Sequence, residues 1–338
     1  MYSLCKMYRP EFHGTPRLYR LLEQIAKIRE QVRSSLIKVP WVPLLVREAM
    51  ARTSWGSTAI EGCTLSLNAV KGLLEGKSPL GYPDRHVQMA QNYLDALAWL
   101  HKQDRISLVR EKDVFRLHRL ICVGAIDEGP IGAYRKIDVR AGRHVCPPWK
   151  DVPKLMSDLL KWLNGAGGEL PAVFSSAILH HRFVEIHPFR DGNGRVGRAL
   201  AIWQLYRNGF DSLHVFALDE VLMENRVLYI RNLERVQIEH QDLGGWLEFM
   251  AEAVLETIER VQRRIRTLGI RGKMPISLTV RQENLLRLLQ ERGPLGIRAL
   301  AESLHLTAPG VHYALKPLIE QGLVKIEGKY KGTRYALT

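Results

Sequence analysis

Apolar residues recur along this chain mostly at helical spacing. From Arg17, "RLYRLLEQIAKIREQVRSSLIK" places Leu18, Leu21, Leu22, Ile25 and Ile28 on one stripe, the pattern of a helix with a single buried face. The same spacing predicts helices over Pro43–Trp55, Leu67–Leu74, His86–Leu100, Lys112–Val123, Val152–Leu163 and Pro171–Ile186. It continues over Arg195–Tyr206, Glu224–Val236 and Leu243–Ile265. Alternation at period two is scarce before residue 270. Its best instance is "KIDVRAGRHVCPP", where Ile137 and Val139 alternate with polar residues, a glycine marks a turn, and His144–Cys146 returns as the second strand of a hairpin. The fold class is mainly α.

The pattern changes near Arg260–Pro275. "RVQRRIRTLGIRGKMP" is basic, carries glycines and ends in proline, and reads as a linker. Beyond it the periodicity predicts helices over Val280–Leu289, Ile297–Leu304 and Pro309–Gln321, the last capped by Thr307. Two short strands joined through "EGKYKGTR" follow. Helices joined by a short turn and followed by a basic hairpin resemble a winged helix-turn-helix domain. The expected division is a helical region over 1–100, a core over 101–265, a linker over 266–276 and the small domain over 277–338.

Composition narrows the class. A chain of 338 residues with 46% hydrophobic and 25% charged residues is an ordinary globular protein of roughly two domains. Its formal net charge of +14 favours an anionic partner such as a nucleotide, a nucleic acid or an acidic protein surface. Cys5, Cys63, Cys122 and Cys146 lie far apart without CxxC spacing. That argues against a disulfide framework or a structural zinc site, and for a reducing, cytoplasmic setting. The N-terminal "MYSLCKMYRPEFHG" lacks the apolar core of a signal peptide, and no apolar run reaches the roughly 18 residues of a membrane span.

The candidate chemistry is concentrated in "HPFRDGNGRVGR", His187 to Arg198. Gly192, Gly194 and Gly197 satisfy GxGxxG, with Asp211 at about the distance of a ribose contact, but a dinucleotide site needs a preceding strand and a βαβ unit. The preceding "AVFSSAILHHRFVEI" is helical in pattern, with Val173, Phe174, Ala177, Ile178 and His181 on one face. A structural turn between two helices is a further alternative. The residue types favour a phosphate cradle. Glycines let successive N–H groups point inward at an anion, Asn193 adds a side-chain donor, and the loop runs into a helix whose N-terminus favours negative charge. Arg195 and Arg198, three apart, share a face and suit a polyphosphate. Asp191 is a hard oxygen ligand of the kind Mg²⁺ takes beside phosphate oxygens, and His187 can accept a proton near neutral pH.

The segment matches HxFx[DE]GNGRxxR, the signature of the Fic (filamentation induced by cyclic AMP) family, at every fixed position. The resemblance covers roughly residues 55–250 and implies a helical Fic core with a β-hairpin flap, the flap being "GAYRKIDVRAGRHVCPPWKDVPKLMSDLLKWLN" with the helix after it. It also implies transfer of AMP from ATP to a Ser, Thr or Tyr hydroxyl of a protein target. His187 would be the base and Asp191 the Mg²⁺ ligand. Gly192, Asn193 and Gly194 would form the anion hole, with Gly197 in the same loop-helix turn and Arg195 and Arg198 on the β- and γ-phosphates. Phe189 reads as a core anchor. Val139, Arg140, Ala141 and Gly142 would align the target segment as an added strand. Leu228 and Tyr229 stand where the family often places paired tyrosines near the adenine, and only the second is aromatic here. A homodimer is compatible with the resemblance.

A second stretch, "STAIEGC", resembles the family's inhibitory motif [ST]xxxE[GN], with Ser57 and Glu61 at its fixed positions and Cys63 where asparagine is usual. Placed before the catalytic motif, it implies an N-terminal inhibitory helix whose carboxylate reaches Arg198. The alternative is a plain helix end before Gly62. "GLLEGKS" falls one residue short of a P-loop and reads as a helix C-terminus, and the His180–His181 pair points to different faces rather than to a zinc site. The functional expectation is an autoinhibited protein adenylyltransferase. Its alternative is a DNA-binding regulator whose core senses nucleotide.

Overall fold

The computed structural model describes residues 8–36, 42–103, 107–126, 129–211, 213–239, 242–271, 280–320, 323–328 and 332–337. The chain divides into two compact units, Met1–Ile28 with Glu48–Arg260, and Arg29–Arg47 with Val261–Thr338. Helices dominate both, in the order α1 (Pro16–Leu36), α2 (Val42–Ile60), α3 (Leu67–Leu74), α4 (Asp84–Leu100) and α5 (Glu111–Cys122). A two-stranded hairpin follows, β1 (Arg140–Ala141) and β2 (His144–Val145). The chain continues with α6 (Val152–Asn164), α7 (Ala166–Glu169), α8 (Ala172–Ile186), α9 (Asn193–Arg207), α10 (Leu218–Glu224), α11 (Arg226–Glu239) and α12 (Gly244–Arg271), of which α12 belongs to the first unit up to Arg260.

The centre of the first unit is the antiparallel pair α8 and α9, joined by the His187–Gly192 loop. Both helices are buried nearly all round, polar side chains included, because other helices enclose them. Val173, Phe174, Ala177, Ile178, Phe183 and Ile186 are buried on α8, and Val196, Ala199, Leu200, Trp203 and Leu205 on α9. α4, α5 and α6 pack around this pair. Gly197 permits the close approach: a Cβ there would lie 3.1 Å from both His180 Nδ1 and Val184 Cγ2 of α8. The boundary expected at residue 100 falls inside this unit, where Leu100 is a buried core residue at the end of α4.

Several sequence expectations are corrected. The helix expected over Glu224–Val236 is α11, Arg226–Glu239, and the pattern missed the short α10 that ends just before it at Glu224, with Asn225 between the two. The basic stretch read as a linker from 266 is helical to Arg271; residues 272–276 lie outside the described residues. Arg260 of this basic stretch is engaged by Glu220, Glu224 and Glu256.

The second unit contains α13 (Val280–Arg292), α14 (Ile297–Leu304) and α15 (Ala308–Glu320), then β3 (Val324–Glu327) antiparallel to β4 (Arg334–Leu337). Leu285, Leu289, Leu300, Val311, Leu315, Leu318, Val324 and Tyr335 form its core. An isolated antiparallel bridge joins Leu295 to Tyr335 of β4, and Thr307 Oγ1 accepts the Gly310 N–H at the start of α15. Of the wing cations, Arg334 is described and exposed, while Lys329 and Lys331 lie outside the described residues.

Candidate functional site

The loop between α8 and α9 is held from below by a stack of rings. Phe189 is fully buried and lies 3.7 Å, face to face, from the His118 ring, with Phe115, Tyr134 and Phe183 around it. His118 is a hydrogen-bonded strut. Its Nδ1 accepts the Gly132 N–H at 2.8 Å, which fixes the proton on Nε2, and Nε2 donates to the Asp191 carbonyl at 3.1 Å. Gly192 adopts φ 81° at the start of α9, and a Cβ there would lie 2.3 Å from Cys122 Sγ, so backbone conformation and space both require glycine.

His187 closes α8 in the left-handed conformation, φ 51°, rare for a residue with a side chain. Its N–H bonds to Phe183 O, and Nδ1 lies 3.2 Å from Val184 O, so Nδ1–H donates there and Nε2 is the basic nitrogen. Burial pushes its pKa down to about 4, so the imidazole is neutral at ordinary pH. Arg135 bridges this histidine to the hairpin. Its Nε donates to His187 O at 2.8 Å, Nη1 to Ile137 O at 2.8 Å and Nη2 to Pro147 O at 2.6 Å. His144 of β2 donates from Nε2 to Glu185 O at 2.9 Å, so the hairpin is fixed to both sides of the histidine.

Arg198 is buried and enclosed by the end of α2. Nε donates to Ser57 Oγ at 2.9 Å, and Nη2 to Ser57 O at 2.8 Å and Glu61 Oε1 at 2.7 Å. Burial opposes the Arg198 charge, but the Glu61 carboxylate overrides it and raises the pKa. Burial likewise opposes the Glu61 charge, and Arg198, with Arg195 and Arg226 further off, pulls that pKa down. The carboxylate lies where a Gly194 Cβ would stand 2.3 Å away, at the N-terminal turn of α9. Glu61 does end α2, as Gly62 at φ 90° and the Cys63 N–H to Thr58 O bond show. The helix end and the Arg198 contact are one arrangement. Behind Arg198 lies a layer that residue patterns did not disclose: Tyr93 donates to Asp219 Oδ2 at 2.9 Å, and Gly56 of α2 packs directly on the Asp219 backbone.

Arg195 is buried, and its Nε and Nη1 have no hydrogen-bond partner among the described residues; its nearest acid is Asp191, 3.6 Å away. Unpaired buried guanidinium N–H groups are costly and mark a place for an anion. The Asp191 side chain is 38% exposed at the mouth of the loop, and its Oδ1 accepts the Gly192 N–H.

Other expected contacts are placed differently. The Asn193 amide does not face the loop's interior space: Oδ1 accepts Phe189 N–H and Nδ2 donates to Phe189 O, both at 2.9 Å, so it closes the loop on itself. Gly197 faces α8 rather than an anion. Tyr229 is no open platform for a base, being 2% exposed between His180 and Trp246 with its hydroxyl 2.8 Å from His180 Nε2. Leu228 is half exposed beside it. No group of three His, Cys, Asp or Glu side chains placed to hold a metal ion occurs among the described residues. Cys63, Cys122 and Cys146 are buried and free.

This loop-on-two-helices, with a hairpin tied to its histidine, defines a Fic domain. Residues 108–205 match the Fic/DOC family model and residues 278–325 the model for winged helix-turn-helix DNA-binding domains, so the chain carries both. The curated relatives include "Protein adenylyltransferase Fic" of Culex quinquefasciatus, 34% identical over 172 residues, 48% of this chain and 33% of the relative. The protein of the same name from Nematostella vectensis is 28% identical over 257 residues, 72% of this chain and 57% of the relative. The chain thus spans between a third and three-fifths of these relatives' lengths. Among solved structures, a Fic family protein from Desulfovibrio desulfuricans G20 superposes with a TM-score of 0.67 at 29% identity, covering 98% of both chains. Fic-1 of C. elegans, at 24% identity and a TM-score of 0.63 over 74% of this chain and 73% of that one, shares the fold.

Burial also sets a pH response. His101, His118, His180, His181, His187 and His214 all have pKa values pushed down by burial, to about 3 for His101 and His180 and about 4 for the others. Each takes a proton near pH 6.5 in the unfolded chain but stays neutral when folded, so the unfolded state binds more protons below about pH 6.5. Stability is therefore full above that pH and falls as pH drops towards about 4, and towards about 3 for His101 and His180, by up to about 1.4 kcal/mol per pH unit for each histidine. Melting curves at constant ionic strength should show a midpoint roughly 5 °C or more lower at about pH 5 than at about pH 7.5. A flat midpoint would contradict the burial of these rings as neutral bases.

Proposed function

We propose that the chain is a protein adenylyltransferase held inactive by its own α2. The observation that carries this reading is the Glu61–Arg198 contact at 2.7 Å beside Arg195, whose buried N–H groups have no partner. A carboxylate occupies one arginine of an anion site while the other awaits an anion. In the active arrangement ATP places its phosphates at the N-terminus of α9, with Arg195 and Arg198 on the β- and γ-phosphates. His187 Nε2 takes the proton from a Ser, Thr or Tyr hydroxyl of the target, the hydroxyl oxygen bonds to the α-phosphorus, and pyrophosphate leaves. Asp191, an exposed carboxylate beside the anion site, fits Mg²⁺, which commonly takes one or two carboxylates along with substrate phosphates and supplies charge neutralisation there. No membrane-spanning helix occurs among the described residues, and three buried free thiols fit a cytoplasmic setting.

A second reading, DNA binding, rests on the winged helix. Lys273–Thr338 carries ten Lys and Arg against five Asp and Glu, and α15 presents His312, Tyr313 and Lys316 outward, with Tyr313 86% exposed. This modest charge predicts weak, salt-sensitive binding outside a specific site. Mobility shifts across genomic fragments should show retarded DNA at low salt that is lost as salt rises. No shift at any salt would make the winged helix a protein-docking module instead.

A further inference from the structure

The hairpin carries more information than its tie to His187. β1 pairs only with β2 among the described residues, with Arg140 opposite Val145 and Ala141 opposite His144. The turn between them is the two residues Gly142 and Arg143, and the Cys146 N–H bonds to Val139 O beyond them. Antiparallel ladders alternate bonded and non-bonded pairs, so the Ala141–His144 and Val139–Cys146 pairs are bonded and Arg140 lies between them. The N–H and C=O of Arg140 therefore point away from β2, onto the open edge, where an extended segment can add.

Side chains alternate as well. His144, with Ala141 opposite it, faces the helices and bonds to Glu185 O near His187. Arg140 and Val145 stand on the other face, where Val145 is 65% exposed. A segment added at this edge shares the alternation. Its acceptor hydroxyl must face inward with His144 to reach His187, so the residues on either side of the acceptor face outward, on the Arg140 side. Arg140 puts a cation on that side, and Lys136 and Arg143 lie close to it in sequence. Lys136, Arg140 and Arg143 are exposed and have no ion-pair partner among the described residues. The one acid of the hairpin, Asp138, is already engaged: its Oδ1 accepts the Trp149 N–H at 2.8 Å and lies 3.8 Å from Arg135.

Resting on the adenylyl-transfer reading, we infer that the target segment is an extended peptide with Asp or Glu immediately beside its acceptor hydroxyl. Nucleic acid is the other polyanion a cationic hairpin could meet. The free backbone edge favours a peptide, because only a peptide strand can satisfy that N–H and C=O as a ladder. The Arg135 ties hold the edge in place before the target arrives, which lowers the ordering cost of docking.

The test uses the full chain carrying Glu61→Gly and two synthetic peptides with the same single threonine, one flanked by aspartates and one by lysines. AMP incorporation gives kcat/KM, and fluorescence anisotropy gives binding without chemistry. The aspartate peptide should be preferred about tenfold at low salt, since each exposed charge pair contributes a few-fold, and the preference should shrink as salt rises. Adding Arg140→Glu with Arg143→Glu should invert the preference in both measurements. Equal use of the peptides, or a preference that survives the charge reversal, would overturn the inference. So would an oligonucleotide that binds only the unreversed protein while the peptides bind alike. If neither the peptides nor the protein itself is ever labelled, the transferase reading fails, and anisotropy alone still decides whether the edge selects acidic segments.

Discussion

His187→Ala is expected to remove nearly all AMP transfer, a loss of about 10²- to 10⁴-fold, the range associated with a general base. The physical ground is the single proton inventory of the ring. Nδ1 is committed to Val184 O, so Nε2 is the one nitrogen able to accept the hydroxyl proton, and burial keeps it unprotonated down to about pH 4. The alanine variant should bind ATP nearly as well as the parent, because Arg195 and Arg198 lie on α9, beyond the loop. Rates measured in the Glu61→Gly background with saturating ATP check this. The same measurements should show no loss of rate between about pH 8 and about pH 5.5 from titration of this base, in contrast to a histidine at its ordinary value near 6.5. Wild-type labelling by the alanine variant would mean that another group takes the proton.

Glu61→Gly is expected to raise transfer, including self-modification, by tenfold or more. Breaking a buried charge-assisted pair corresponds to about 2–5 kcal/mol, much of it the cost of leaving the arginine unpaired. On the proposed reading the γ-phosphate would take the vacated place, so that cost would appear instead as productive binding of ATP. Glycine at this position also meets no steric obstacle, because α2 already ends at Ile60 and its terminal carbonyl is held by Arg226 Nε at 3.0 Å. Gly56 keeps α2 seated on α10, so the variant frees the arginine without loosening the helix.

How much of this was legible beforehand depended on the reach of each interaction. The His187–Arg198 loop was legible because its parts are neighbours in sequence and their residue types name their chemistry. The Glu61–Arg198 contact spans 137 positions, and only the short "STAIEGC" motif pointed to it. Arg135 and His118 were missed because both act on backbone carbonyls and amides, which leave no pattern in residue types. A lone arginine before an amphipathic hairpin looks like any surface cation until its burial is known. The bonds of the Asn193 amide to Phe189 went unread for a related reason: an amide that can donate to a phosphate can equally close its own loop. The burial of Tyr229 was not legible either, because a resemblance does not say which neighbours cover a ring, and His180 and Trp246 cover this one. The break at Asn225 and the continuation of α12 to Arg271 show the same limit in the backbone, where composition suggests ends that packing moves.

The central claim is that Glu61 withholds Arg198 from ATP. Intact-mass measurement of the purified wild type, Glu61→Gly, and Glu61→Gly with Arg198→Ala, each incubated with ATP and Mg²⁺, tests it most directly. The account predicts little added adenylyl mass on the wild type, strong addition on the single variant, and loss of that gain in the double variant, because the arginine is what the glutamate withholds. Equal modification of wild type and Glu61→Gly would reduce the Glu61–Arg198 pair to the end of a helix.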